Sequence, residues 1–381
     1  MRVLAIARAA GGGDLHPVVA LALGLHRRGH KVRTLCDTAA ASVPTELSPF
    51  VDEELFATAS DRGREAAAAM NPDAAQDVMF AEYFRTVNRE VRDGLRGHIR
   101  DVAPDYVVAP LLLAGAAAEA TDGSLPWCLV NSTYTLGDDL NAVLRFLSPF
   151  FASATLVVHA TDEIFDGGRA LPPHEHRVGP LFWEPAASLP SYVGEGGPPW
   201  VLVAISSVPQ GDVAIVPLAL AALARHPVRV VATIGPNDAT AAGELPPNAR
   251  LERFVSHLAL LERAVLMVSH AGHGSVMKGL WSGVPMVLVP WGRDQPGVAA
   301  RAERIGIARI VGPSALDELP DAIDAVLRMP SYAEAALRHR ERIRASDPVS
   351  RACDLVEQSA SADALVRGRS ALPRDADDRE R

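Results

Sequence analysis

The stretch from Val255 to Ala300 constrains this chain more than any other. It reads V-S-H-L-A-L-L-E-R-A-V-L-M-V-S-H-A-G-H-G-S-V-M-K-G-L-W-S-G-V-P-M-V-L-V-P-W-G-R-D-Q-P-G-V-A-A. Val265 to Val268 is a short apolar run that fits a buried strand. It breaks into His270-Ala271-Gly272-His273-Gly274-Ser275. Val276 to Trp281 is predicted to be a helix, with Ser275 at its start and Gly283 and Pro285 closing it. Met286 to Val289 then gives a second apolar run. Strand, glycine turn, helix and strand make a βαβ unit.

The turn carries the chemistry. Gly272 and Gly274 let the backbone approach a ligand closely. The start of the helix offers unpaired N–H groups and the positive end of a dipole, which suit an anion. His270 stands at the strand end, where it can donate to a phosphate oxygen. Asp294 and Gln295 lie just past the next strand, on the same sheet edge, and a carboxylate beside an amide suits sugar hydroxyls. Phosphate donors and sugar acceptors one strand apart suggest a nucleotide-sugar site. The plainer alternative is an ordinary αβ connection whose glycines only permit tight turns.

This segment resembles the donor-binding signature of the family-1 glycosyltransferases of the GT-B fold, especially the bacterial ones that decorate natural products. The family pattern is roughly H-G-G-x-G-[ST]-x-x-E-[AG]-L-x-x-G-V-P followed by D-Q. His270, Gly272, Gly274, Ser275, Gly279, Leu280, Gly283, Val284, Pro285, Asp294 and Gln295 match. Ala271 replaces a glycine and Lys278 replaces the usual glutamate. Lys278 is expected on the outer face of the helix. The resemblance implies donor contacts from His270, Gly272, His273, Gly274, Ser275, Asp294 and Gln295.

The N-terminus opens with a second βαβ pattern. Arg2 to Ala7 reads as a strand, Ala9 to Pro17 as a glycine loop, Val18 to Arg28 as an amphipathic helix and Lys31 to Cys36 as the next strand. The loop is not G-x-G-x-x-G, and Asp37 is a weak candidate for a ribose ligand, so a dinucleotide site is not supported. Many members of the same family carry G-H-x-x-P here, with the histidine as general base. This chain has Gly13-Asp14-Leu15-His16-Pro17. The G-D-x-x-P form occurs in a branch resembling sterol and glycopeptide glucosyltransferases, which makes Asp14 the expected base and His16 the fallback. Alternatively, Asp14 caps the helix that follows.

The intervening chain is less specific. Phe50 to Arg100 is expected to be helical, with a loop near Asn71-Pro72; Phe80, Tyr83 and Phe84 are read as core, with part of an acceptor wall as the alternative. Asp105 to Pro110, Trp127 to Asn131 and Val157 to His159 are predicted strands. Asn131 to Tyr134 and Asp138-Asp139 fall at a C-terminal sheet edge, where sites gather in open α/β sheets, with Asn131, Asp138 and Asp139 the candidate acceptor contacts. In the second half, Trp200 to Ile205 is a strand ending in Ser206-Ser207, where relatives carry glycine-serine. Ser207 is therefore a candidate diphosphate contact. Phe254 and Val255 follow another strand and are candidate donor contacts, with Phe254 either a stacking platform for the base or a buried core residue.

A chain of 381 residues with 48% apolar residues can fill two cores. Its net charge of −9, without a basic stripe, excludes nucleic acid as a partner. Cys36, Cys128 and Cys353 are too few and too scattered for a metal cluster or disulfide framework, and suggest a cytoplasmic protein. The longest apolar run, Val107 to Ala118, is too short for a membrane span, so no stable membrane anchor is expected.

The expected fold is α/β and GT-B: two facing Rossmann-like domains with parallel sheets and an interdomain cleft. An acceptor domain spans residues 1–180, a linker 181–199 and a nucleotide-sugar domain 200–360, whose last helix packs back on the first. Residues 361–381 read as a disordered tail. The resemblance implies inverting, metal-independent transfer of a sugar, including deoxysugars, from a dTDP- or UDP-linked donor to a hydroxyl of a small lipophilic acceptor such as an antibiotic aglycone. No further cofactor is implied, no D-x-D metal motif lies near the donor loop, and a homodimer is left open. Two other readings stay open: a non-catalytic relative that binds nucleotide-sugar or acceptor and assists another enzyme, and a GT-B sugar epimerase.

Overall fold

The computed structural model describes residues 1–8, 13–37, 43–70, 76–135, 142–184, 189–207 and 210–370, with backbone alone for 76–77 and 366–370. Asp138, Asp139 and the Asn71-Pro72 loop lie outside the described residues.

The N-terminal half builds a seven-stranded sheet from β1 (Arg2–Ala7), β2 (Lys31–Cys36), β3 (Pro49–Val51), β4 (Tyr106–Pro110), β5 (Trp127–Asn131), β6 (Leu156–His159) and β7 (Glu175–Arg177). Its order is β3-β2-β1-β4-β5-β6-β7, and every pairing is parallel. The C-terminal half builds a six-stranded sheet from β8 (Trp200–Ala204), β9 (Arg229–Thr233), β10 (Ala249–Glu252), β11 (Ala264–Ser269), β12 (Met286–Leu288) and β13 (Ala308–Ile310). Its order is β10-β9-β8-β11-β12-β13, again all parallel.

The composition of the strands explains this arrangement. A parallel strand is covered by helices on both faces, so it reads as a continuous apolar run rather than an alternating one. β8 (W-V-L-V-A) and β5 (W-C-L-V-N) are buried at every position. In both sheets the strand order reverses beside the first strand, β1 or β8. The crevice outside the carboxyl ends of the strands at such a reversal is where open α/β sheets hold ligands.

The chain crosses between the halves twice. The first crossing follows Gly179, and the second follows the helix Pro330–Arg344. The final helix, Pro348–Ser370, then lies on the N-terminal half. Ala352, Cys353 and Val356 join the same core as β1 and the helix Leu15–Arg27. Arg28 binds Asp354 at 2.6 Å and Glu357 at 3.0 Å. The helix continues to Ser370, so the expected disordered tail from residue 361 is helical over its first part. Mixed charge there suits an exposed helix as well as a free coil.

Candidate active site

The βαβ unit that dominates the sequence folds as expected, with one shift. Its helix runs His273–Ser282 and Gly272 occupies the N-cap, so the helix begins two residues before Ser275. The first intrahelical bond is Val276 N–H to Gly272 O at 3.0 Å, which leaves the N–H groups of His273, Gly274 and Ser275 at the open end. Ala271, where relatives have glycine, sits at φ +64° in the left-handed region. Gly272 is required for a different reason: a Cβ there would lie 2.5 Å from His270 Nε2. The imidazole rests against the bare backbone, so any side chain at 272 displaces it.

His270 is buried, and its Nδ1 lies 3.3 Å from the Ala204 carbonyl and 4.0 Å from Asp212 Oδ2. A carbonyl only accepts, so Nδ1 carries the proton and Nε2 faces the cavity. Burial lowers the pKa of the ring, opposed by Asp212. Asp212 itself is held by the Ser206 N–H at 2.6 Å. Ser207 is exposed on the cavity wall.

The cavity, of about 1000 Å³, lies between the two halves and is lined from both. Asp14 stands on the N-terminal wall. It occupies the N-cap position but makes no capping hydrogen bond. Its carboxylate instead accepts from the Leu112 N–H at 3.0 Å and, through a short contact, from the Ser132 hydroxyl. The capping alternative therefore fails. Burial pushes the Asp14 pKa up to about 6 against the pull of those two hydrogen bonds, and the charge of Asp294 adds to the rise. His16 also lines the cavity, with Nδ1 donating to Trp183 O at 2.6 Å, and burial lowers its pKa to about 4.

Asp294 and Gln295 divide their tasks. Asp294 Oδ2 accepts from the Thr133 hydroxyl at 2.6 Å, a bond that spans the cleft. Gln295 Oε1 accepts from the N–H groups of Trp291 at 2.8 Å and Gly292 at 3.2 Å, and its Nε2 donates to Gln210 at 3.1 Å. Gln295 thus braces the turn that presents Asp294, with one amide N–H remaining for a ligand. Phe254 is 51% exposed at the cavity wall, which rules out the buried alternative. Val255 turns into the core and does not line the cavity. His273 lines it, with a buried Nε2 that has no partner.

Besides Val255, which is a core residue rather than the expected donor contact, two expectations are corrected. Asn131 is fully buried and absent from the cavity wall; its side chain donates to Tyr134 O and His159 Nδ1 and accepts from the Thr133 N–H. It shapes the turn that carries Ser132 and Thr133, which do line the cavity. Lys278 is not on an outer face. It is buried on the cavity wall and paired with Glu184 at 2.6 Å. Burial alone would raise the Glu184 pKa, but Lys278 and the Ser256 hydroxyl, at 2.6 Å, outweigh it and hold the carboxylate low. One signal was available: position 278 lies three residues after Ser275, on the same helical face. Ser132 and Thr133 fall in the sheet-edge segment from Asn131 to Tyr134 that the sequence points to; nothing local marks Glu184.

The Lys278–Glu184 pair locks the interdomain connection to the donor helix. Removing one partner of a buried pair leaves an uncompensated charge. Lys278→Met is therefore expected to cost about 3–5 kcal/mol, and Lys278→Met with Glu184→Leu to recover most of it. Chemical denaturation of both variants checks this; equal losses in the single and double variants would refute it.

Known proteins resemble this chain in sequence and in fold. Residues 217–357 match the family model described as erythromycin biosynthesis protein CIII-like, C-terminal domain. The 4'-demethylrebeccamycin synthase of Lentzea aerocolonigenes is 35% identical over 194 residues, covering 49% of this chain and 45% of that protein. The O-mycaminosyltylonolide 6-deoxyallosyltransferase of Streptomyces fradiae is 25% identical over 417 residues, covering 91% of this chain and 95% of that protein. The match thus spans about half the length of the first relative and nearly all of the second. The solved glycosyltransferase VinC, in complex with dTDP, superposes with a TM-score of 0.70 at 20% identity, over 95% of this chain and 100% of that one. The two-sheet architecture is thus the GT-B fold of that solved glycosyltransferase, and residues 217–357 carry an EryCIII-like C-terminal domain.

Proposed function

We propose that the protein transfers a sugar from a nucleoside-diphosphate donor to a hydroxyl of a lipophilic small molecule, with inversion at the anomeric carbon. One observation carries this reading. A single cavity has the Asp14 carboxylate, with its pKa near 6, on one wall and the open helix end at His273–Ser275 on the other.

Each part has a role. The N–H groups of His273, Gly274 and Ser275, with His270 and Ser207, hold the diphosphate. These preformed donors stabilise the charge that develops on the leaving group as the glycosidic bond breaks. Phe254 stacks on the base. Asp294 accepts from a sugar hydroxyl, which takes the place of the Thr133 hydroxyl. Asp14 takes the proton of the acceptor hydroxyl as its oxygen attacks the anomeric carbon, with Ser132 and the Leu112 N–H holding the carboxylate in place. The acceptor lies along the N-terminal wall, where Met79, Phe80, Tyr83, Phe84 and Leu144 face the cavity. The dTDP bound to one solved relative supports a dTDP- or UDP-linked donor.

Among the described residues, no helix is long and apolar enough to cross a membrane. The three buried free thiols fit the reducing cytoplasm. Incubation of the purified protein with dTDP- and UDP-sugars and a panel of hydroxylated aglycones, followed by mass spectrometry, tests the reading. A glycosylated acceptor is expected. Nucleotide binding without product on any aglycone would favour the non-catalytic alternative, and release of free sugar without an acceptor would favour the epimerase.

A further inference from the structure

Arg293 precedes the Asp294-Gln295 pair and is unused by the reaction as described. Its backbone sits at φ +60°, a left-handed conformation that an arginine adopts only under constraint. The constraint is visible: the N–H groups of Trp291 and Gly292 are both fixed on Gln295 Oε1, so the turn dictates the geometry at 293. An over-determined outlier beside a binding site points to a function for the side chain it aims.

The side chain crosses the cleft. Its guanidinium lies over the ring of Phe80, 5.0 Å from the centroid, although Phe80 belongs to the helix Gln76–Val102 of the opposite half. Arg293 lines the cavity, and its Nη2 is buried without a hydrogen-bond partner. Burial lowers its pKa against the pull of Asp294 and Asp212. The result is a partly desolvated cation over an aromatic ring, with its Nη2 unpaired. A guanidinium so held matches a planar carboxylate with two parallel hydrogen bonds, and the ring beneath it continues as an apolar wall.

We propose that Arg293 reads an acidic group on the acceptor, and that the acceptor is a planar aromatic molecule bearing a carboxylate or similarly acidic substituent in addition to the hydroxyl that is glycosylated. This rests on the transfer reading above and names the class of its acceptor. The guanidinium lies within electrostatic reach of His270 and Asp212 beside the phosphate cradle, and its stacking on Phe80 of the N-terminal wall is what directs it to the acceptor side.

The test compares 6-hydroxy-2-naphthoate with its methyl ester, which keeps the ring and the hydroxyl and removes the charge. Equilibrium binding of each to the full-length protein is measured by calorimetry without donor, so the result does not depend on turnover. The wild type should bind the acid about tenfold or more tightly than the ester, as for a hydrogen-bonded charge pair. In Arg293→Ala the ratio should collapse to about one, and Arg293→Lys should recover only part of it because the fork is lost. Arg293→Gly relieves the left-handed strain and serves as the second charge-free variant if the alanine form folds poorly. No acid preference in the wild type, or an unchanged ratio in the variants, overturns the proposal. A fall in dTDP and UDP affinity in Arg293→Gly, with the acid-to-ester ratio intact, likewise overturns it and assigns the group to the diphosphate. Failure of the transfer reading is a separate result: acid preference in binding with no glycosylated product.

Discussion

Replacing Asp14 by asparagine is expected to cut turnover by about two to four orders of magnitude and, at pH 7 and above, to make the protein more stable. The shape is kept and an asparagine oxygen can still accept from the Leu112 N–H, but the proposed base is gone. The stability effect follows from burial. A carboxyl whose pKa is raised from 3.8 to about 6 on folding is stabilising in its protonated form. That contribution is fully present below the unfolded pKa and is lost as pH rises through about 6. At pH 7–8 the buried charge costs about 3 kcal/mol. Asp14→Asn removes this cost, so denaturation should show the variant ahead at pH 8 and level with the wild type near pH 4. The wild-type rate should rise with pH through about 6, as the base ionises. A near-normal rate in Asp14→Asn with a large loss in His16→Ala would hand the role to His16. Equal stability differences at both pH values would mean that the carboxylate is solvated.

His270→Ala should slow transfer by about two or more orders of magnitude and weaken binding of dTDP and UDP. The free imidazole is neutral near pH 7 because burial lowers its pKa, and its proton sits on Nδ1. An arriving diphosphate favours the imidazolium, whose Nε2–H then points at phosphate while Asp212 balances the added charge. Binding therefore takes up a proton between the lowered free pKa and the raised bound one. Nucleotide affinity should fall as pH rises across that window, and the slope should vanish in His270→Ala. Calorimetric titration in buffers of different ionisation enthalpy measures the proton uptake directly. Unchanged affinity and slope in the variant would sink the assignment.

The parts of this protein legible from sequence are those that local chemistry encodes. Continuous apolar runs announce parallel strands, and β1, β8 and β11 fall where such runs occur. The glycine turn at 270–275 is legible because close backbone approach needs a specific residue type. The wall opposite is not. The contact of Asp14 with Ser132 joins positions 118 apart, and that of Thr133 with Asp294 joins positions 161 apart. The first pair exists only once the N-terminal sheet is assembled, and the second only once the two halves face each other. Asn131 shows the reverse error. A polar residue at a strand's carboxyl end looks like a ligand contact, yet the sharp turn that follows needs its own backbone groups satisfied, and Asn131 is spent there. Lys278 misled because a lysine usually marks a solvated face, and its carboxylate partner enters from a connection 94 residues away.

The two chain crossings meet where Gly179 touches Pro348: a Cβ on Gly179 would stand 3.0 Å from Pro348 Cγ. Two adjacent pins define a door with one axis, so the halves swing rather than slide or twist. The latch between the halves is built from Arg342 on Asp162 at 2.7 Å, Arg301 near Asp166 at 3.5 Å and Arg304 on the Phe165 carbonyl at 2.6 Å. A latch made largely of charge loosens as ions screen it, and apolar packing does not. The door should therefore open more readily in concentrated salt. If escape of the bulky glycosylated product limits the cycle, moderate ionic strength speeds it up until the grip on the anionic donor fails.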